Sequence, residues 1–439
     1  MAREMKDSGI EWIGKIPKDW EIAKNKYLLK EIYSGGTPTS GNPNFYDENG
    51  IPFVSIGDMK LNNKIYETKR KLTVAGIKDK NLRILNEDTI LYSIYATIGN
   101  VSQLGVKSTI SQALLALILN EEKYRKNFYK YNLIALKNFA LSLSNGNTQN
   151  NLNAEIVKNF FLVLASLEEQ EKIANYLDKK VVDIDLIIEK TKATIEDYKK
   201  YKQSIITEAV TKGLNPNVEM KDSEIEWIGQ IPKQWTLKKF KNILIERNEK
   251  NIPIKTSERL SLSIDKGVTL YSEKTTNLDR FKEDVSQYKI AHINDLVLNS
   301  MNMIVGAVGV SKYFGCVSPV YYTYYDKIKN SPTPKFCNYL FSSKTIKKVL
   351  FSLGRGIMAI DRGDDKINTC RLKVSRDDLR SLIFPIPSLE EQQQIVDYLD
   401  KKVSEIDNLI AKKESLISEM EEYKKSLIYE CVTGKKEVI

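Results

Sequence analysis

Ser166-Leu167-Glu168-Glu169-Gln170 opens a stretch that passes through Tyr176-Leu177-Asp178-Lys179-Lys180-Val181 and ends at Thr211. The same stretch returns without a gap as Ser388-Leu389-Glu390-Glu391-Gln392, then Tyr398-Leu399-Asp400-Lys401-Lys402-Val403, ending at Thr433. Each copy reads as one long helix. Ser166 with Glu169, and Ser388 with Glu391, fit the Ser-x-x-Glu capping box, in which each side chain satisfies a backbone N–H that the first turn leaves without a partner. Apolar residues then recur every seven positions: Leu177, Ile184, Tyr198 and Ile205 in one copy, Leu399, Ile406, Met420 and Leu427 in the other. Companion stripes run Val181, Ile188, Ile195 and Val403, Ile410, Ile417. Stripes of this period and length specify a coiled coil. They make Leu177, Ile184, Ile188, Ile195, Tyr198, Leu399, Ile406, Ile410, Ile417 and Met420 candidates for a helix-helix or partner interface. Gly213 and Gly434 supply the stops.

Working outward, Met5 to Trp20 recurs as Met220 to Trp235 with 13 of 16 positions identical, including Ile10-Glu11-Trp12-Ile13-Gly14 against Ile225-Glu226-Trp227-Ile228-Gly229. Plain duplication would spread similarity evenly along each half, yet the stretches between the repeated blocks differ. One surface is kept twice while another is varied. The chain therefore divides into a globular domain over 1–165, a helix over 166–213, a second globular domain over 214–387 and a second helix over 388–439. The globular parts carry short β-rich runs (Ile51 to Ile56, Thr89 to Ile94, Asp295 to Asn299, Val317 to Tyr325) between Gly, Asn and Pro turns. Asp88-Thr89-Ile90-Leu91-Tyr92-Ser93 parallels Asp295-Leu296-Val297-Leu298-Asn299-Ser300, and a helical stretch ends at Ser144-Asn145-Gly146 in one half and Gly354-Arg355-Gly356 in the other. One fold is used twice with divergent loops.

Helices of this size span roughly 65 to 70 Å at about 1.5 Å per residue. Parallel pairing would force the second globular domain, with a radius of gyration of about 16 Å, to bridge that length. Antiparallel pairing needs no bridge. The expected fold class is α+β: two similar mixed α/β globular domains separated by two long antiparallel coiled-coil helices, pseudo-twofold symmetric.

A hydrophobic content of 42% over 439 residues argues against disorder. No apolar run approaches the roughly 20 residues that span a bilayer, and Met1 to Glu11 is too charged for a signal peptide, so the expected location is the cytoplasm. Cys316, Cys337, Cys370 and Cys431 never approach Cys-x-x-Cys spacing, which leaves buried thiols rather than a zinc site or a disulfide framework. The net charge of +10 suits a polyanionic partner but is weak evidence alone. His292 is the only histidine; a duplicated machine with paired active sites would not place its one imidazole in a single half, so a structural role beside a strand is expected.

Catalytic motifs fail on inspection. Asn42-Pro43-Asn44-Phe45 lacks the second proline of the motif with which amino-methylating enzymes grip a flipped base, and no Gly-x-Gly loop follows a strand to hold S-adenosylmethionine. An Asn-Pro turn is the better reading. Gly99 to Lys107 has the wrong spacing for a phosphate loop. Glu4-Met5-Lys6 and Glu219-Met220-Lys221 echo the end of a nuclease motif without its upstream Pro-Asp. No metal ligands are indicated. A binding surface remains. Base edges are read by Arg, Asn, Gln and hydroxyls, while Lys and Arg on phosphates set register. Candidates in the first domain are Ser34, Thr37, Ser40, Tyr92, Ser93, Tyr95, Asn147, Thr148 and Gln149; those in the second are Asn299, Ser300, Asn302, Arg355 and Arg362. Each singly is as well explained as an ordinary turn residue; the clusters persuade more than their members.

With these blocks assembled, the chain resembles the DNA-specificity subunit of Type I restriction-modification systems from end to end. The carriers are Ile10 to Trp20 and Ile225 to Trp235, Gly35-Gly36-Thr37-Pro38 followed by Gly50-Ile51-Pro52-Phe53-Val54, Asn299-Ser300-Met301-Asn302, Gly315-Cys316-Val317-Ser318-Pro319, and Pro385-Ile386-Pro387-Ser388-Leu389-Glu390-Glu391-Gln392. The first copy departs at Leu164-Ala165-Ser166, where the family usually has proline. The resemblance implies two target recognition domains, each reading one half of a bipartite asymmetric site in double-stranded DNA, with the helices setting the spacer. It implies two modification (methyltransferase) subunits and two restriction subunits as partners, no membrane, and no cofactor on this chain, with S-adenosylmethionine, ATP and Mg on those partners. Rival readings are a non-catalytic coiled-coil scaffold whose end domains bind proteins, and an enzyme acting on DNA unaided, which the missing cofactor loops oppose.

Overall fold

The computed structural model describes residues 3–39, 41–59, 64–145, 151–273, 285–357 and 371–438. The chain forms two compact units: Met1–Thr191 with Ser415–Ile439 (unit 1), and Lys192–Glu414 (unit 2). Each unit thus joins one globular domain to segments of both long helices.

In unit 1, β1 (Leu29–Ser34), β2 (Lys64–Ile65), β3 (Ile90–Ser93), β4 (Val101–Leu104) and β5 (Leu114–Leu119) form a sheet in the order β1-β5-β3-β4-β2, antiparallel except for β4 with β2. α1 (Lys126–Ala135) and α2 (Lys137–Asn145) follow, and α3 (Leu167–Lys212) is the first long helix. In unit 2, β6 (Ile245–Glu246), β7 (Leu260–Ser263), β8 (Gly267–Leu270), β9 (Leu296–Asn299), β10 (Val308–Val310) and β11 (Tyr321–Tyr325) include the matching sheet β6-β11-β9-β10, all antiparallel. Then come α4 (Thr333–Ser342), α5 (Lys344–Leu353) and the second long helix, α6 (Leu389–Val432). The differences lie outside the shared strands. Unit 1 has a three-stranded sheet built on Tyr46–Val54, whereas unit 2 has the β7–β8 hairpin. Gly50 packs so closely there that a Cβ would come within 2.4 Å of the Leu72 carbonyl oxygen.

The sheets correct one expected correspondence. Matching Asp88 to Asp295 pairs Leu91 with Leu298, but Leu91 and Val297 face the smaller clusters of their units while Tyr92 and Leu298 face the main cores. The N–H of Ser93 donates to Asn100 O at 3.0 Å and that of Asn299 to Ala307 O at 3.1 Å, so Ser93 corresponds to Asn299 and Asp88 to Asn294. Asp88 and Asn294 share a positive φ, 63° and 70°. A shift of one residue exchanges the two faces of a strand, so inward-facing pattern outranks a shared aspartate in setting the match.

Each unit buries its globular domain and its helix segments in one core. Trp20 and Trp235 are fully buried and meet Phe128 and Phe336 edge-on, both with centroids 6.5 Å apart. Burying an indole of this size is the largest single apolar contribution at each site. Of the stripe residues, Leu177, Ile184 and Ile188 lie in the core of unit 1 with Ile417 and Met420 packed against it. Leu399 lies in the core of unit 2, Ile195 and Ile406 are buried, and Tyr198 and Ile410 are half-buried. Within each unit the helix segments run antiparallel. In unit 1, Tyr176 lies against Lys436 and Asp185 accepts from Lys424 at 2.5 Å; in unit 2, Lys202 meets Asp407 at 2.6 Å and Gly213 lies against Glu391.

The helix starts keep half of the capping box. The N–H groups of Glu169 and Glu391 donate to Ser166 and Ser388 Oγ, both at 3.2 Å. Instead of returning to the backbone, the Glu169 carboxylate accepts from Arg3 at 2.6 Å and from Trp20 Nε1 at 3.0 Å, tying the repeated N-terminal block to the helix. Gln170 and Gln392 are buried and donate to Ala165 O and Pro387 O at 2.8 and 3.0 Å. Asp178 and Asp400 accept from Tyr131 and Tyr339 at 2.7 and 2.5 Å.

Cys316, Cys337 and Cys431 are buried free thiols, and burial pushes the Cys431 thiol up to about 11; Cys370 lies outside the described residues. His292 follows strand Lys289–Ala291, contacts Glu249 at 2.8 Å through Nε2, and stands edge-on to Phe314. Asn42 caps the short turn Pro43–Phe45 by accepting from the N–H of Asn44 at 3.1 Å. Among the described residues, no helix is long and apolar enough to cross a membrane.

Candidate nucleic-acid interface

In both units the inner strand of the sheet runs into a short loop and returns along its neighbour: β3 to β4 around Tyr95, β9 to β10 around Met301. The loop bases are stitched from within. Ser93 is fully buried; its hydroxyl donates to Thr97 O and accepts from the N–H of Asn100 at 3.0 Å. Asn299 is also buried, its Oδ1 accepting from the N–H of Met301 at 3.1 Å. Tyr92 lies in the core edge-on to Phe160, and Ser300 is fully buried.

The hydroxyls of Tyr92, Ser93 and Ser300 therefore face inward in this conformation. Ser93 and Asn299 hydrogen-bond within their own loops, and the burial of Tyr92, Ser93 and Ser300 corrects their assignment as direct contacts. The exposed members of the expected set are Ser34 at the end of β1, Tyr95 at the tip of its loop, and Arg355, whose side chain is 83% exposed. Thr37 and Asn302 are half-buried. Gly35, just before Thr37, sits so close to strand Thr109–Ile110 that a Cβ would lie 2.3 Å from the carbonyl oxygens of Ile110 and Ser111, so only glycine lets this loop cross there. Ser40, Asn147, Thr148, Gln149 and Arg362 lie outside the described residues.

What the expected set lacks is lysine. In unit 2 a groove of about 600 Å³ runs between the β7–β8 turn, the β9–β10 loop, α4 and the helix segments, with Lys202, Lys266, Lys312, Lys335 and Lys347 along it. A groove with five lysines against Asp265, Asp400 and Asp407 is suited to a polyanion. Nothing in the sequence separated these lysines from the other cations of a basic chain. Among the described residues, no group of His, Cys, Asp or Glu is arranged to hold a metal ion.

Comparison with known proteins decides the family. The model of the Type I restriction modification DNA specificity domain matches residues 17–197 and again 217–418. The chain belongs to that family. It is similar to the putative Type I restriction enzyme MjaX specificity subunit of Methanocaldococcus jannaschii, 26% identical over 451 aligned positions covering 97% of this chain and 96% of the relative. Its likeness to the MjaIX specificity subunit of the same organism, 28% identical, spans about half of each protein, 55% of this chain and 55% of the relative. A chain from a structural study of complex assembly and conformational transition in the Type I R-M system shares the fold, with a TM-score of 0.69 at 13% identity over 96% of this chain and 99% of that one. Membership makes the chain a specificity subunit, the DNA-recognising and non-catalytic member of such a system.

Proposed function

We propose that this specificity subunit reads a bipartite, asymmetric sequence in double-stranded DNA, the domain of unit 1 contacting one half-site and the domain of unit 2 the other. The observation that carries the reading is the pairing of one sheet, used twice in matching order, with loop tips that differ: Tyr95 in one unit, Met301 in the other. Identical tips would read identical half-sites.

In this reading α3 and α6 pair along their whole length as an antiparallel coiled coil, give the subunit an approximate twofold axis, and set the number of unread base pairs between the half-sites. The same helices dock two modification subunits, which bring S-adenosylmethionine, and through them two restriction subunits with ATP and Mg; this chain holds no cofactor and works in the cytoplasm. Exposed apolar residues recur at matching positions on both helices: Ile187 and Leu409 are 45% and 42% exposed, Tyr201 and Tyr423 55% and 50%. Their recurrence off the buried stripes suits two copies of one partner.

Mapping methylated adenines across the source genome, with and without this protein, tests the reading. One bipartite motif that disappears on deletion is the expected result. A methylation pattern unchanged by deletion would overturn it.

A further inference from the structure

The groove of unit 2 holds more cations than its ion pairs use. Lys202 is taken by Asp407 at 2.6 Å and Lys335 by Asp400 at 3.2 Å. Lys266, Lys312 and Lys347 have no acidic partner within ion-pair distance among the described residues, although Asp265 also lines the groove. Lys347 is half-buried in the first turn of α5 and passes over Gly306, where φ is 102° and a Cβ would lie 3.1 Å from the lysine Nζ. Burial first, and then the neighbouring Lys202, hold this ammonium below the ordinary lysine range.

Unit 1 repeats the arrangement with different surroundings. Lys137 opens α2 and passes over Gly99, where φ is 80° and a Cβ would lie 2.8 Å from the lysine Cγ. Its ammonium donates to Asn100 Oδ1 at 2.7 Å, and burial followed by the nearby Lys425 again lowers its pKa. Thus two units whose loops diverge keep the same three parts: a lysine at the start of the second domain helix, a left-handed glycine in the loop beneath it, and a second lysine from a long helix. Desolvating one ammonium beside another is unfavourable unless an anion arrives to offset it.

We infer that Lys137 and Lys347 are the phosphate anchors of the two units, each holding a DNA backbone phosphate at the foot of the loop that carries Tyr95 or Met301, with Lys266 and Lys312 extending the line of contacts in unit 2. This deepens the DNA-recognition reading above and rests on it. An anchor at the loop foot fixes how far the tip enters the groove of the duplex, so one lysine per unit sets register without reading sequence.

The test is fluorescence anisotropy of the full chain, co-expressed with its modification subunit, on duplexes with and without the mapped site over a salt series. Lys137→Gln and Lys347→Gln are each expected to weaken binding roughly tenfold on both duplexes, and to flatten the log-log salt dependence by about 0.9. Lys347→Arg keeps the slope, as does Lys348→Gln at the exposed neighbouring position. A folding defect lowers the fraction able to bind but leaves the slope intact, so slope separates the two. If the wild-type complex binds neither duplex, the DNA reading falls and the anchors with it. If the wild type binds and both Gln variants keep its slope, the lysines only pack against glycine, and the anchor proposal falls while the DNA reading stands.

Discussion

Trp20 and Trp235 meet the same kind of neighbour at the same distance, whereas Tyr95 and Met301, at equivalent loop tips, share neither size nor chemistry. The contrast separates two tasks. Side chains repeat where each unit locks its globular domain onto a helix segment, through Gln170 and Gln392 and Asp178 and Asp400, and where its helix segments meet, through the matched ion pairs Asp185–Lys424 and Lys202–Asp407. They diverge at the loop tips. Much of the repetition is therefore internal mechanics, and a smaller part, such as Ile187 with Leu409, is exposed.

Removing the shared mechanics should have the largest effect. Trp20→Ala and Trp235→Ala are each expected to destabilise their unit by about 3 to 5 kcal/mol, through lost burial and the cavity left behind. Chemical denaturation of the full chain measures both. A tryptophan that its unit can lose without cost would break the equivalence of the two scaffolds.

A smaller effect sharpens the comparison. Gly99 and Gly306 both hold a left-handed backbone, which costs a residue with a Cβ about 1 to 2 kcal/mol. The added methyl at Gly99 would strike Lys137 at its Cγ, close to the backbone, whereas at Gly306 it would meet only the mobile end of Lys347. Gly99→Ala should therefore destabilise by about 2 kcal/mol and Gly306→Ala by about 1 kcal/mol. Equal losses in thermal unfolding would show that the backbone conformation alone matters and that the lysine stem is free to move.

Long-period signals in the sequence translated directly into structure. The two long helices start at the Ser-x-x-Glu blocks and keep the serine half of each cap, because capping is a local rule. The site was less legible. Ser93 and Asn299 look like base readers because they are polar and sit in turn-like sequence, yet a strand end needs inward hydroxyls and amides to satisfy the loop that follows it. Tyr92 was misread for the opposite reason: an aromatic near a loop resembles a contact until its strand face is known. That face is set by what the strand packs against, which for Tyr92 is Phe160 and the main core. Lys137 and Lys347 carry no motif, since what singles them out is a glycine far away in the chain.

The central claim is that the two units read independently and differently. Exchanging residues 1–165 for the first domain of another family member, and then mapping methylated adenines, tests it most directly. The account predicts that one half of the bipartite motif changes while the other half and the spacer stay as they were. A motif altered in both halves, or in neither, would contradict it.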